Sequence, residues 1–293
     1  LEEIVEEAGQ LISRGIKEIN LVAQDLAAFG TDRGRSEFPA LLSALSTLPG
    51  DFWLRLLYIH PDQFPEEILP IMKDDPRILP YFDIPFQHAH PDILSSMGRT
   101  GDAKSYLALL GRIRKTFPGA AIRSTFLLGY PGEGRKEYLE LVSFIRQAHL
   151  DWVGFFSFSP EEGTRAASMR GPFGHRLAAA GAARRIKKLQ ELQEVISFEK
   201  SAERASGVHQ PAGVQPPAGV LQPAGAHQPP SDRVDVLIEE QVSGENLALG
   251  RTWFQAPEVD GITVVSGENL QPGTVVACRI RRSNGLDMEA SLL

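Results

Sequence analysis

Polar and glycine residues gather at the ends of apolar runs, where a site for chemistry would form. Gln24-Asp25 follows the run Ile19–Ala23, and His60-Pro61 follows Trp53–Ile59. The run from Tyr81 to Pro85 passes through Asp83 and leads into Phe86-Gln87-His88. The run from Ile122 to Leu128 contains Arg123 and ends in Gly129-Tyr130-Pro131-Gly132-Glu133. The last, Trp152 to Phe158, ends in Ser159-Pro160-Glu161-Glu162-Gly163-Thr164. Two glycines around a proline let the backbone approach a ligand closely, and a following helix start offers free N–H groups. A purely conformational role fits the Gly129–Glu133 turn equally well. Asp25, Asp83, His60 and His88 have side chains that ligate metals, but capping a helix or bonding to backbone is the preferred role for each. Glu161 and Glu162 could form an acid–base pair, yet solvated loop charge is preferred. No metal-ligating set is assigned.

The single cysteine, Cys278, excludes an intramolecular disulfide and any all-cysteine metal site within one chain. It lies in the strand-like run Val275–Ile280 and reads as a small buried apolar residue.

The elements that must hold these residues alternate between two periods. Ile4, Val5, Ala8, Leu11 and Ile12 share one helical face, and Gly15 follows as a stop. The five apolar runs read as buried strands, separated by helical patterns near Pro39–Leu48, Pro65–Lys73, Lys104–Phe117 and Lys136–Leu150. Strand–helix repetition predicts a parallel sheet with right-handed crossovers, either an open doubly wound sheet or part of a βα barrel. In either, ligands lie beyond the carboxyl ends of the strands.

His175 to Arg204 reads as a long helix whose basic cluster, Arg184, Arg185, Lys187 and Lys188, suits a solvated face. From Ala205 to Pro230, Pro/Gly-rich near-repeats such as Gln210–Val214 and Gln222–Gly225 cannot bury a core and predict a flexible linker. Beyond Arg233, short β-rich runs (Val234–Ile238, Ile262–Val265, Thr274–Ile280, Met288–Leu292) are punctuated by glycines, which predicts a small β-barrel.

Composition is that of a globular protein: 42% apolar, 23% charged, net charge −7. No run approaches the about eighteen apolar residues that span a bilayer, and no signal pattern opens the chain. A cytoplasmic location with no membrane partner is expected. The sequence starts at Leu1 without an initiator Met, so it is expected to begin inside a longer gene product.

Ile19–Asp25, Asp83–His88, Phe126–Glu133 and Phe158–Thr164 together resemble the radical-SAM methylthiotransferases, and the tail resembles the TRAM domain that ends those enzymes. Tyr81–Ala89, Met97-Gly98-Arg99 and Ala256–Gly261 are most similar to the branch that adds a methylthio group to an aspartate of a small-subunit ribosomal protein. The resemblance implies an α/β fold: a partial radical-SAM (βα) barrel lacking its first strand (residues 1–204), a Pro/Gly-rich linker (205–230) and a TRAM β-barrel (231–293). It implies S-adenosylmethionine and two 4Fe-4S clusters in the parent enzyme. By strand position, Gln24 stands near the methionine end of that cofactor, and Asp83, Gln87 and His88 near its ribose or the substrate. Arg123 could pair with its carboxylate, and Gly129, Gly132 and Glu133 would shape the adenine side. The family's three-cysteine loop is absent from this chain, as is the domain holding the second cluster. The catalytic residues are therefore unknown, and the chain alone is expected to be inactive, holding no cluster. An open sheet edge is expected where the first strand would pair.

The tail carries five arginines against ten acids from Ser231 onward, net −5. RNA binders normally display positive surface, so a basic ribosomal protein is the expected partner and RNA is disfavoured. The alternatives are a tRNA-modifying relative and a non-catalytic docking module for ribosomal protein or RNA.

Overall fold

A computed structural model describes residues 1–205 and 233–293. The first helix, α1 (Glu2–Ser13), begins with Glu2 and Glu3, whose charges suit a helix amino terminus. It turns at Gly15, whose φ of 87° is one that glycine adopts without penalty. Five strands and their helices then alternate: β1 (Glu18–Val22), α2 (Phe38–Ser46), β2 (Trp53–Leu57), α3 (Ile68–Asp74), β3 (Ile78–Asp83), α4 (Pro91–Ser96), α5 (Ala103–Thr116), β4 (Ala121–Leu128), α6 (Arg135–Ala148) and β5 (Trp152–Ser157). Short α7 (Arg165–Ser168) and long α8 (Pro172–Ala205) follow.

The strands pair in parallel in chain order, β1 to β5. Among the described strands, β1 pairs with β2 alone, so its other side is the open edge expected from the sequence. The expected strand limits hold to within a few residues except at β3, which begins at Ile78 despite Pro80 in its interior. Proline cannot donate to a ladder. Here the β2–β3 register breaks, Leu54 pairing with Ile78 and Leu56 with Phe82, so Pro80 falls where a ladder bond is already missing.

Strand alternation gives the sheet two faces. Leu54, Leu56, Phe82, Ile122 and Phe126 pack under the helices in the main core. Trp53, Leu79, Tyr81, Ala121 and Trp152 point to the other, concave face and join a second core with the carboxyl-terminal domain.

That domain is a closed barrel of β6 (Arg233–Gln241), β7 (Leu247–Thr252), β8 (Thr263–Ser266), β9 (Val275–Ser283) and β10 (Met288–Leu292), in the order β10-β8-β7-β6-β9. The sequence reading missed β7, because Gly250 interrupts its apolar pattern. The structure explains that glycine: a Cβ there would stand 2.4 Å from the Leu237 carbonyl oxygen. The linker expected over 205–230 lies, apart from Ala205, outside the described residues.

Helix α8 joins the two units. Gln193 donates to Leu150 O, Ser197 to Asp151 O, and Ser201 meets Ser283 of β9. Arg204 pairs with buried Asp151 at 2.5 Å while its guanidinium covers the Phe254 ring at 4.7 Å.

Candidate functional site

The barrel plugs only the amino-terminal half of the concave face. Its anchor is the loop after β7. Trp152 Nε1 donates to Phe254 O at 2.8 Å, and Arg55 NH1 donates to Trp253 O at 2.7 Å. Arg55, fully buried, also binds Glu18 at 2.6 Å and lies over the Tyr81 ring at 4.7 Å. Glu18 accepts a second bond, from Arg251 of β7, at 2.6 Å. Tyr81 donates its hydroxyl to Asp260 Oδ2 at 2.7 Å, and Ala256 N–H donates to the same oxygen.

Above this plug the concave face opens to solvent. Val22 and Phe156 are 61% and 57% exposed there, and Leu57, Thr125 and Leu127 are half-buried. At the floor of the opening Arg123 binds Asp83 Oδ1 at 3.1 Å and turns its Nε to Asp260 Oδ1 at 3.5 Å. Burial pushes the carboxyl of Asp83 above its usual range, against the opposing pull of Arg123. Burial likewise pushes Asp260 up to about 6. Asn20 and Arg55 are register partners on the same face, and Asn20 Oδ1 and Arg55 NH2 are both buried without a hydrogen-bond partner.

The other residues singled out from the sequence fall into two groups. Gln24 is exposed, two residues past Val22. Gln87 extends the sheet: with φ 67° it donates its N–H to Thr125 O and accepts from Leu127 N. The rest lie against helices. His88 is fully buried, and its Nδ1 accepts from His90 N–H, which assigns the proton to Nε2. Burial lowers it to about 4, with His90 and Arg185 acting in the same direction and Glu137 against them, so it stays neutral. Glu133 is buried beneath α8, one oxygen accepting from Gly129 N–H and the other paired with Arg185. Arg185 therefore belongs to this cluster, not to the solvated face expected for it. Gly129 has φ 80°, and a Cβ there would stand 2.9 Å from the Ala182 methyl. Gly132 has φ 95° and lies close to Ile93. The turn's glycines thus admit close packing by α8 and α4.

Asp25 and His60 cap short turns by accepting backbone N–H groups, from Ala27 and Asp62 respectively. Among the described residues no group of three His, Cys, Asp or Glu could hold a metal ion. Glu161 and Glu162 are exposed. Glu18, Asn20, Arg55, Tyr81 and Asp260 were missed as a set. The signal was present in Asn20 and Arg55, single polar residues inside otherwise apolar parallel strands.

Residues 1–145 match the Radical SAM superfamily, and residues 232–293 match the TRAM domain. The chain is 32% identical over 295 residues to a protein of Carboxydothermus hydrogenoformans, covering 100% of this chain and 61% of the relative. It is 35% identical to one from Treponema denticola (99% and 62%) and 38% identical to one from Nitratidesulfovibrio vulgaris (97% and 60%). All three are named ribosomal protein uS12 methylthiotransferase RimO.

The chain belongs to the radical-SAM methylthiotransferase family. It spans about 60% of the length of these curated relatives. Radical-SAM chemistry in this family implies S-adenosylmethionine and iron–sulfur clusters, and the residues present fit these two groups differently. Clusters are held by thiolates. The chain's one thiol, Cys278, is buried inside the TRAM barrel, and burial pushes it up to about 12. The residues present do not fit a cluster. For S-adenosylmethionine the concave face has groups of the kinds its apolar and carboxylate parts would need. It offers exposed apolar walls at Val22 and Phe156 and, at its floor, the Arg123 guanidinium beside the Asp83 carboxylate. Among the described residues no helix is long and apolar enough to cross a membrane.

Proposed function

We propose that this chain forms the cofactor-facing wall and substrate platform of a methylthiotransferase that modifies an aspartate of ribosomal protein uS12 in the cytoplasm. We propose also that it does not carry out that reaction unaided. S-adenosylmethionine would be held by Asp83 and Arg123 at the floor, Gln24 at the mouth and Gln87 at the rim. When bound, it supplies the methyl group and the means of breaking an unactivated C–H bond. The remaining work belongs to this chain's own residues. Arg123, held between Asp83 and Asp260, fixes a cation at the floor. The plug of Trp253 and Phe254 closes the lower end of the face to water. His88 and the turn from Gly129 through Gly132 to Glu133 hold the strand ends in place from behind.

The observation that carries the protein-substrate reading is the fate of the TRAM arginines. Arg251 is buried and spent on Glu18 and Glu239, which leaves the acidic domain still fewer cations to show to RNA. An acidic face favours a basic ribosomal protein. The observation behind the second half is Cys278: one buried thiol cannot assemble a four-iron cluster. On that ground a docking role without catalysis describes the chain by itself, and the methylthiotransferase role describes the longer relatives. Binding separates the substrates. Immobilised chain should retain purified uS12 and release it with salt, while unmodified tRNA passes through. Retention of tRNA with no retention of uS12 would turn the reading toward the tRNA-modifying relatives.

A further inference from the structure

A groove runs between α8 and the Asn284–Asp287 turn, with a volume of about 640 Å³. Its apolar floor is Val195 and Phe198 of α8 and Leu286 of the turn, each more than half exposed. Val195 and Phe198 are three residues apart and so share one helix face. The rim is acidic: Glu191, Glu194 and Glu199 from the helix and Asp287 from the turn, with no Lys or Arg among the lining residues. Glu199 also meets His149 at 3.1 Å, and Asp287 accepts from Ile262 N–H. The turn is held in shape by Asn284 Oδ1, which accepts from the N–H groups of Leu286 and Asp287.

A second cavity of about 290 Å³ continues the groove, sharing Ser197, Leu286 and Asp287 with it. It reaches Arg123, Gly154 and Asp260 at the concave face. One acceptor in its lining, Gln193 Oε1, is buried without a hydrogen-bond partner. Gln193 is 6% exposed. A buried unsatisfied acceptor is costly and is satisfied by a donor. The surface therefore asks for hydrophobic anchors, positive charge and hydrogen-bond donors together. The Ser206–Asp232 segment of this chain contains no Lys or Arg and does not meet that description.

We propose that the groove docks a basic, apolar-anchored segment of the protein substrate, laid along α8 and leading toward Arg123. This rests on the protein-substrate reading above and names its recognition surface. Exposed apolar anchors rimmed by one sign of charge give specificity and a salt-dependent association.

The test uses the full chain and a labelled synthetic peptide carrying a Leu pair flanked by Lys and Arg, followed by fluorescence anisotropy. Two controls replace the basic residues with Glu or the Leu pair with Ser. Glu191→Lys with Glu194→Lys, and separately Val195→Asp, alter exposed side chains and should leave the thermal midpoint unchanged. Each should weaken the basic peptide at least about tenfold, and added salt should weaken it further. Equal affinity for the Glu peptide, unaltered affinity in the variants, or displacement by a single-stranded RNA would overturn the proposal. Purified uS12 separates the two readings. If it binds wild type and both variants equally, the groove assignment fails and the protein-substrate reading stands. If the basic peptide binds in the groove but uS12 does not bind, the groove stands and the choice of substrate fails.

Discussion

Arg123 of the parallel sheet lies 3.5 Å from Asp260 of the TRAM barrel, so a residue of the second domain reaches the floor of the first domain's open face. Asp260 is also the acceptor for the buried hydroxyl of Tyr81 and for Ala256 N–H. Asp260→Ala leaves both donors unsatisfied and should cost roughly 2–4 kcal/mol, while Asp260→Asn keeps an acceptor and should cost about 1 kcal/mol. Urea denaturation of the two variants at neutral pH checks the ordering.

The same residue gives a pH signature. Burial raises Asp260 to about 6 from an ordinary 3.8, so between these values the native state holds a proton that the unfolded state has lost. Its contribution is fully present below about pH 4 and is lost as pH rises to about 6. Stability of Asp260→Asn relative to wild type should therefore improve across that window and level off above it. A flat difference curve would remove Asp260 from the titrating groups.

His88 acts in the opposite sense. Its folded value is lowered to about 4 from 6.5, so the unfolded chain takes up a proton that the native state refuses. The stability it preserves is present above pH 6.5 and falls as pH drops to 4, by about 3 kcal/mol across the window. His88→Asn, which can still accept from His90 N–H, should lose that part of the acid sensitivity. Denaturation midpoints at a series of pH values measure it.

Arg55 is a fully buried cation of the domain interface, held by Glu18 and the Trp253 carbonyl. Arg55→Ala strips Glu18 of one of its two partners and should destabilise by about 3–5 kcal/mol, whereas Arg55→Met, similar in volume, should cost less together with Glu18→Gln than alone. A double-mutant cycle in guanidinium reports the coupling.

Gly129 and Gly163 separate backbone strain from packing. Both have positive φ, but only at Gly129 would a Cβ strike a neighbour, the Ala182 methyl at 2.9 Å. Gly163→Ala should cost only the left-handed penalty of about 1–2 kcal/mol, and Gly129→Ala an additional 1–3 kcal/mol or so from overpacking. Thermal midpoints of the pair settle the difference.

Much of the parallel sheet was legible because its strands are apolar on both faces and its helices carry the longer period. Gly250 hid β7 by supplying closeness instead of hydrophobicity, and Pro80 shortened β3 because a register break cannot be read from one strand. The site was legible only in part. Asp83 and Arg123 were named from strand position and meet in space, but their third partner, Asp260, comes from 137 residues beyond Arg123 in the chain. Nothing local announces so distant a contact. Gly129 and Glu133 were conspicuous for turn chemistry, which the structure shows serving the packing of α8.

The central claim is that this polypeptide provides a binding face and not the thiolates of a cluster. Anaerobic reconstitution of the 293-residue chain with iron and sulfide, followed by reduction in the presence of S-adenosylmethionine, tests it most directly. The expected result is no bound four-iron chromophore and no 5′-deoxyadenosine above background. A stoichiometric cluster that cleaves the cofactor would contradict the account.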